Sequence, residues 1–199
     1  MGERRRAGTA TKGDQREQAI LAAAEEQLAT TGPDGITVES LARAAGITRG
    51  AFYFYFGSKD DVLAALVGRT MATLTGEVAA AETIADPATA LRRAVDHTAQ
   101  QWYDHGRLLR LAVDLSPTVP EIDAQWRDAI AHTVTTTSAI AVRAGLPDDD
   151  APTGARAVVT TLVWMTERAF YQAATTGAPP IPEVARTCTT IWLRALNLS

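Results

Sequence analysis

Five aromatic residues stand together near the start of the chain, in the run FYFYF at positions 52–56, although aromatic residues make up only 6% of the sequence. On a helix of 3.6 residues per turn, Phe52 and Phe56 share one face and are expected to be core residues. Tyr53 and Tyr55 fall elsewhere, and each holds a hydroxyl group at the end of a rigid ring. A hydroxyl so placed suits a phosphate oxygen, so the run indicates contact with a nucleic-acid backbone.

The elements that must position this run are predicted to be short helices. Thr37 is expected to cap a helix that stops at Gly46, and Thr48 to cap a second one that crosses the aromatic run. Gly46 suits the turn between them, where a positive φ is expected. A capping box of Asp14 and Glu17 predicts a longer helix before both. Together these elements have the lengths and turn chemistry of a helix-turn-helix.

Helical periodicity continues through the rest of the sequence, which predicts an all-α fold of about nine helices. Ser58 and Asp61 form a capping box for a long helix from Lys59, and Asp86 with Pro87 marks the start of another. We expect a disordered basic arm at 1–13, a helix-turn-helix domain at 14–58 and a second helical domain at 59–199. The later helices are predicted near 59–81, 87–106, 107–115, 120–144, 153–176 and 181–197.

Composition excludes several classes of protein. The single cysteine, Cys188, and three scattered histidines offer no metal-ligand spacing, and no nucleophile with a base or Gly-rich phosphate loop is evident, so we expect no metal, no cofactor and no catalytic residues. No segment is apolar enough for a membrane span or a signal peptide, which predicts a cytoplasmic protein without a membrane partner. The net charge is −4, but basic residues balance acidic ones in the first 59 residues, which permits binding to DNA there.

The stretch ITVESLARAAGITRGAFYFYFGSKDDVL, residues 36–63, resembles the DNA-binding signature of the TetR (tetracycline repressor) family of bacterial transcription regulators. The similarity covers about 50 residues, from 16 to 66. It rests on the capped second helix, the glycine turn, the pattern Gly-x-x-Tyr-x-[Tyr/His]-Phe and the closing Ser-Lys-[Glu/Asp]. The resemblance implies a regulator that binds double-stranded DNA.

Carried over by position, the resemblance implies a role for eight residues. Arg49 and Gly50 would open the recognition helix, with Arg49 pairing to guanine O6 and N7 and Gly50 letting the backbone approach the groove. Phe54 could touch thymine methyl groups. Many relatives have proline or a polar residue at the position of Gly50, so the base preference stays open, and the run 4–6 is either a DNA-contacting arm or a solubilising tail. The expected phosphate contacts are Thr37, Thr48, Tyr53, Tyr55 and Lys59.

All four tryptophans lie after residue 100, on four different predicted helices, where such rings fill a core or line a cavity. Val159, Val163, Thr166 and Phe170 recur at helical spacing and share one face with a single hydroxyl, which is typical of a small-molecule site. The resemblance places a ligand cavity among these helices, and core packing stays the alternative for each side chain. The predicted lining is Trp102, Tyr103, Trp126, Ile130, Val163, Thr166, Phe170 and Trp192.

The resemblance also implies a homodimer formed through the last two helices, with Trp164, Arg168, Tyr171 and Gln172 in the interface. Glu167 and Arg168 are expected to pair locally or to anchor that interface. The expected function is a repressor that a small hydrophobic effector releases from a palindromic operator. A regulator without an effector, an activator and an enzyme with a tryptophan-lined active site are the alternatives.

Overall fold

The computed structural model describes residues 11–198, and at positions 74 and 77–82 only the backbone is described. Within this range every regular element is helical, which confirms the all-α prediction. The described residues divide into two compact units, one that ends at Leu66 and one that begins at Val67. The division lies within the helix that begins at Lys59, where the second domain is predicted to start.

The first unit consists of short helices and the start of a long one. Helix α1 is followed by a single turn of 3₁₀ helix, by α2 and α3, and by α4, which continues into the second unit. Their bounds are Lys12–Thr31 for α1, Pro33–Gly35 for the 3₁₀ turn, Val38–Ala44 for α2, Arg49–Phe52 for α3 and Lys59–Glu82 for α4.

Helix α1 begins earlier than the sequence pattern predicts. Thr11 is its N-cap and forms a capping box with Asp14, so the capping box predicted between Asp14 and Glu17 is wrong. The Thr11 hydroxyl accepts from the Asp14 amide at 3.1 Å, and the Asp14 carboxylate accepts from the Thr11 amide at 2.9 Å. Thr11 to Gly13, predicted as part of a disordered arm, are thus the cap and first turn of α1. Residues 1–10 of that predicted arm lie outside the described residues.

The turn between α2 and α3 has the predicted chemistry. Gly46 has φ +65°, and the amides of Gly46 and Ile47 donate to the carbonyls of Arg43 and Ala42, which is the Schellman pattern that ends a helix. Thr48 caps α3 as predicted. Helix α3 itself is shorter than expected, because the amides of Phe54 and Tyr55 bond three residues back and the chain tightens into turns.

A small core joins the helices of the first unit. Ile20, Ile36, Leu41 and Phe52 have no exposed surface, and the rings of Phe52 and Phe56 lie 6.1 Å apart. Both phenylalanines are buried, as their shared helix face predicts. Burial of a side chain of this size contributes about 1.5–3 kcal/mol, so this core holds the turn and α3 in place.

The second unit contains the rest of α4 and four further helices, α5 (Pro87–Leu115), α6 (Pro120–Arg143), α7 (Ala155–Thr176) and α8 (Ile181–Ala195). Asp86 caps α5 as predicted. Helix α5 has a kink at His105, where φ and ψ leave the helical region, so the predicted break near residue 106 is a kink within one long helix. The described residues therefore contain eight α-helices, or nine when the two parts of α5 are counted separately.

Helix α5 is the centre of the second unit and packs against α6, α7 and α8. Helix α7 also packs against α6 and α8. The buried face of α7 carries Val159, Val163, Thr166 and Phe170, as the helical spacing predicts. Among the helices of residues 11–198, none combines the length and apolar character that crossing a membrane requires.

Candidate nucleic-acid interface and cavity

The eight predicted DNA-binding residues all lie in the first unit, between the N-cap of α2 and the first residue of α4. Phe54 is 90% exposed and belongs to no core, while Tyr53 is half exposed. Tyr55 and Lys59 are partly buried. Thr37, Thr48, Arg49 and Gly50 are exposed. The residues predicted to contact DNA are thus separated by burial from Phe52 and Phe56, which hold the unit together.

Arg49 and Tyr53 contact each other on the exposed side of this element. Nη2 of Arg49 donates to the Tyr53 hydroxyl at 3.4 Å, and this hydrogen bond raises the pKa of Arg49. The hydrogen bond holds the charged guanidinium beside the tyrosine hydroxyl. The pair presents a cation and a hydroxyl on one surface, which suits contact with a base edge and a neighbouring phosphate.

The two capping threonines also face solvent. The Thr48 hydroxyl accepts from the Ala51 amide at 3.1 Å, and the Thr37 hydroxyl accepts from the Ser40 amide at 3.0 Å. A hydroxyl that accepts from an amide still has its own hydrogen to donate, so each cap can bond to a phosphate while it holds its helix. A Cβ atom on Gly50 would meet only the Thr48 hydroxyl, at 3.9 Å, so the fold does not require glycine there.

A cavity lies inside the second unit, and each of its five helices contributes to the wall. The free volume of the cavity is about 80 Å³. Most of the wall is apolar. Six of the predicted lining residues are part of it: Trp102, Trp126, Ile130, Val163, Thr166 and Trp192.

The other two predicted lining residues lie elsewhere. Phe170 is fully buried behind the wall, with its ring stacked 6.4 Å from that of Trp102. Tyr103 is 69% exposed and borders a surface groove between α5 and α8. Trp102 and Tyr103 are consecutive residues of α5, so their side chains point in different directions around the helix, and only Trp102 faces inward.

The hydroxyl of Thr166 is already engaged inside the cavity. The indole Nε1 of Trp192 donates to Thr166 Oγ1 at 2.8 Å, which joins α8 to α7. Thr166 also shares a hydrogen bond with the Cys188 thiol, whose pKa is raised chiefly by burial. Cys188 is therefore a neutral buried thiol, as a lone cysteine is expected to be.

Glu167 is a lining residue that the sequence analysis missed. Its side chain is only 5% exposed, and neither carboxylate oxygen has a hydrogen-bond partner. The basic group beside it is Arg168, whose Nε lies 3.8 Å from Glu167 Oε2 in a weak ion pair. Burial raises the pKa of Glu167, against the opposing charge of Arg168. The sequence could have indicated this position, because Glu167 follows Val163 by four residues and so lies on the same inward face of α7.

The opposite face of α7 is exposed. It carries Trp164, which is 44% exposed, together with Arg168 and Gln172 at intervals of four residues. The Arg168 guanidinium lies 4.7 Å from the centre of the Tyr171 ring, and the Tyr171 hydroxyl donates to Asp114 at 2.6 Å. The four residues predicted for a dimer interface therefore form one outward surface of the second unit.

Comparison with known proteins identifies both units. A family model for bacterial regulatory proteins of the tetR family matches residues 20–66, and a model for the C-terminal domain of the transcriptional regulator EthR matches residues 91–197. The chain belongs to the TetR family. It is 34% identical over 191 residues to the HTH-type transcriptional regulator EthR of Mycolicibacterium smegmatis, an alignment that covers 92% of this chain and 87% of that protein.

Solved structures of other TetR proteins share the fold. SmeT, the repressor of the multidrug efflux pump SmeDEF of Stenotrophomonas maltophilia, matches with a TM-score of 0.71 and 21% identity, over 90% of this chain and 89% of that one. FadR of Thermus thermophilus, a repressor solved in complex with lauroyl-CoA, matches with a TM-score of 0.64 and 21% identity, over 90% of this chain and 94% of that one.

Membership of the TetR family confirms the resemblance seen in residues 36–63 and extends it through the second unit. The protein is a DNA-binding transcriptional regulator of the EthR type. The roles of individual residues in the TetR helix-turn-helix, in the cavity and on the outer face of α7 stay predictions.

Proposed function

We propose that the protein is a homodimeric repressor that leaves a palindromic operator when a small lipophilic molecule enters the cavity of the second unit. The observation that carries the proposal is an apolar cavity whose wall includes Met71 of α4. Helix α4 begins at Lys59, directly after the predicted DNA-contacting residues, and runs on into the second unit. A molecule in the cavity would therefore press on the same helix that leads to the DNA-binding surface.

Because the cavity is small, a ligand can enter it only if side chains of the wall move. Sites for drug-sized ligands usually have about 300–1,000 Å³, far more than the free space here. A ligand of that size must displace side chains of the wall, and Met71 is the most flexible of them. A ligand that binds better to the widened conformer shifts the population toward it, and a difference of about 1–3 kcal/mol would weaken operator binding roughly 5- to 150-fold.

The outer face of α7 supports the proposal of a homodimer. Trp164 is a large apolar side chain left half in solvent, and such residues are enriched at interfaces. Ile191 of α8 is also an exposed large apolar residue. A two-fold dimer reads a DNA site whose halves are related by the same symmetry, which is why we propose a palindromic operator.

The same small volume favours one alternative, a regulator that responds to no small molecule. In that case the cavity is an imperfection of the core, and lipophilic compounds change neither tryptophan fluorescence nor DNA affinity. Three of the four tryptophans line the cavity, so their fluorescence reports directly on its contents. A Trp164→Phe variant removes the fourth, which is exposed, and makes the signal specific to the cavity.

The proposed recognition of a palindromic operator is tested with the purified full chain. DNA duplexes are selected from a random pool and the bound fraction is sequenced. We expect a palindromic motif, and affinity for it that falls as salt concentration rises. Fluorescence anisotropy with the selected duplex then measures release by added lipophilic compounds. Failure to enrich any symmetric motif would overturn the proposed operator recognition, whereas an enriched motif without release by any compound would support the effector-free alternative.

A further inference from the structure

Glu167 is part of the wall of an otherwise uncharged cavity. Among the described residues of the wall, it is the single ionisable acid or base. Its side chain is 5% exposed and both oxygens lack a hydrogen-bond partner. A buried charge without a partner is costly, so an unsatisfied buried carboxylate requires an explanation.

The neighbouring arginine does not account for this carboxylate. The separation of 3.8 Å between Arg168 Nε and Glu167 Oε2 is too long for a hydrogen bond, and the Arg168 side chain is 55% exposed. Its guanidinium lies over the ring of Tyr171 instead. Glu167 lines the cavity with its side chain buried, while its neighbour on the helix faces solvent.

The other residues of the wall favour a positively charged ligand as the partner of Glu167. Three indole rings, those of Trp102, Trp126 and Trp192, line the cavity with Glu167, and the faces of such rings attract cations. No lysine, arginine or histidine is among the described lining residues, so an anionic ligand would find a like charge and no counter-charge. The Thr166 hydroxyl oxygen already accepts from Trp192, which leaves Glu167 as the strongest acceptor available to a ligand.

We propose that the effector is a lipophilic amine whose ammonium group pairs with the carboxylate of Glu167 and whose hydrocarbon part lies among the tryptophans. This inference rests on the proposed ligand response and names the chemical class of the ligand. It distinguishes this protein from a sensor of fatty acids or other lipophilic anions. A neutral alcohol of the same length would fill the same apolar space without the ion pair.

Three compounds of equal chain length test the charge of the ligand: octylamine, octanol and octanoate, near pH 7, where the first is a cation and the last an anion. Binding to the full chain is followed by tryptophan fluorescence, and release by anisotropy of the selected operator duplex. We expect octylamine to bind about tenfold or more tightly than octanol, because hydrogen bonds to charged groups are the stronger class. Octanoate should bind weakest of the three.

The residue is tested with Glu167→Gln, which keeps the shape of the side chain and removes its charge. We expect this variant to bind octylamine and octanol within about twofold of each other. Glu121→Gln is the matched control, because Glu121 is exposed at the start of α6, and it should keep the full preference for the amine.

The outcomes separate the inference from the function on which it rests. If octanol binds and releases DNA as well as octylamine does, or if Glu167→Gln keeps the amine preference, the cavity is a sensor but the cationic class is wrong. Preference for octanoate would overturn the inference in the same way, since it would mean that the carboxyl group is protonated. If none of the three compounds binds while the operator is still recognised, the ligand response itself fails, and the inference with it.

Discussion

The indole of Trp192 donates a hydrogen bond to the hydroxyl of Thr166 across 2.8 Å, and this bond joins the last two helices inside the cavity. Both residues are buried, so neither partner has water as a replacement. Thr166 thus contributes to stability whether or not it also touches a ligand. Structural and ligand-binding roles of the residue can be measured separately.

Thr166→Val should lower the free energy of unfolding by about 1–3 kcal/mol, because the buried indole N–H loses its acceptor. Urea unfolding followed by circular dichroism measures this, at equal protein concentrations for wild type and variant. Thr161→Val is the matched control, since Thr161 is exposed on the same helix and bonds only to the carbonyl of Ala157. Equal losses in both variants would mean that the valine, rather than the lost hydrogen bond, is responsible.

Tyr53→Phe and Arg49→Ala should weaken DNA binding in different ways. Loss of the Tyr53 hydroxyl should weaken binding to all sequences alike, by about 0.5–1.5 kcal/mol, whereas loss of Arg49 should relax preference at one base pair and cost about 1–3 kcal/mol on the preferred site. Because the two side chains share a hydrogen bond, the effects in the double variant should not add. Anisotropy titrations on the selected duplex and on single-base variants measure all three, and strict additivity would argue against coupling.

Gly50→Ala should separate folding from DNA binding. Because a Cβ atom at this position has open space, the fold should tolerate it, and stability should stay equal or rise by up to about 1 kcal/mol. DNA affinity should fall by about 1–3 kcal/mol if the backbone approaches the groove closely, since the methyl group then has no room. Gly76→Ala on α4, where a Cβ atom would meet nothing within 4 Å, should leave DNA affinity unchanged. Unchanged affinity in the Gly50 variant would show that the backbone stays away from the DNA.

The helix-turn-helix could be predicted from sequence because its signals are local. Thr48 and Gly46 act through their own backbone and that of the next few residues, and the structure has them in the expected roles. The same locality explains the error at α1. Both Asp14 with Glu17 and Thr11 with Asp14 satisfy the spacing of a capping box, and only the observed backbone tells which pair forms.

The cavity could be predicted only in part, because its wall depends on how five helices pack. Helical spacing indicated that Val163 and Thr166 face inward, and it holds for them. It did not separate Trp102 from Tyr103, which differ by about 100° around one helix, nor did it measure the free space. Glu167 was missed because a charge is expected on the solvent side, although its spacing from Val163 indicates the inner face.

Trp164→Glu should convert a dimer into a monomer. The substitution places a charge in the proposed interface, and unpaired charges in such positions disfavour association. Size-exclusion chromatography with light scattering, over a range of concentrations, measures the mass. Tyr103→Glu is the control, because this exposed aromatic residue lies on α5 and outside the proposed interface. A wild-type chain that is monomeric at every concentration would overturn the dimer proposal.

Glu167→Gln should increase stability, and the increase should grow with pH. The ordinary pKa of glutamate is 4.5, and burial raises the pKa of Glu167 in the folded state above that value. Below about pH 4 the carboxyl group is protonated in both folded and unfolded chains, so it contributes no difference. As pH rises, the unfolded chain releases the proton first, and the wild type loses stability until the folded-state pKa is passed.

The measurement is the difference in unfolding free energy between Glu167→Gln and wild type, from about pH 4 to about pH 8 in the absence of ligand. We expect a difference near zero at the acidic end and a growing difference in favour of the variant toward the upper end, because only the wild type must then bury a charge. Subtracting the wild-type curve of unfolding free energy against pH from that of the variant removes the contributions of titrating groups that both proteins share. Glu121→Gln should show no rise in stability toward high pH, because the Glu121 carboxylate is exposed in the first turn of α6, where a negative charge is favourable. A difference that stays constant or shrinks with rising pH would mean that Glu167 has a partner in solution, and the cavity would then hold no unpaired charge for a cation to meet.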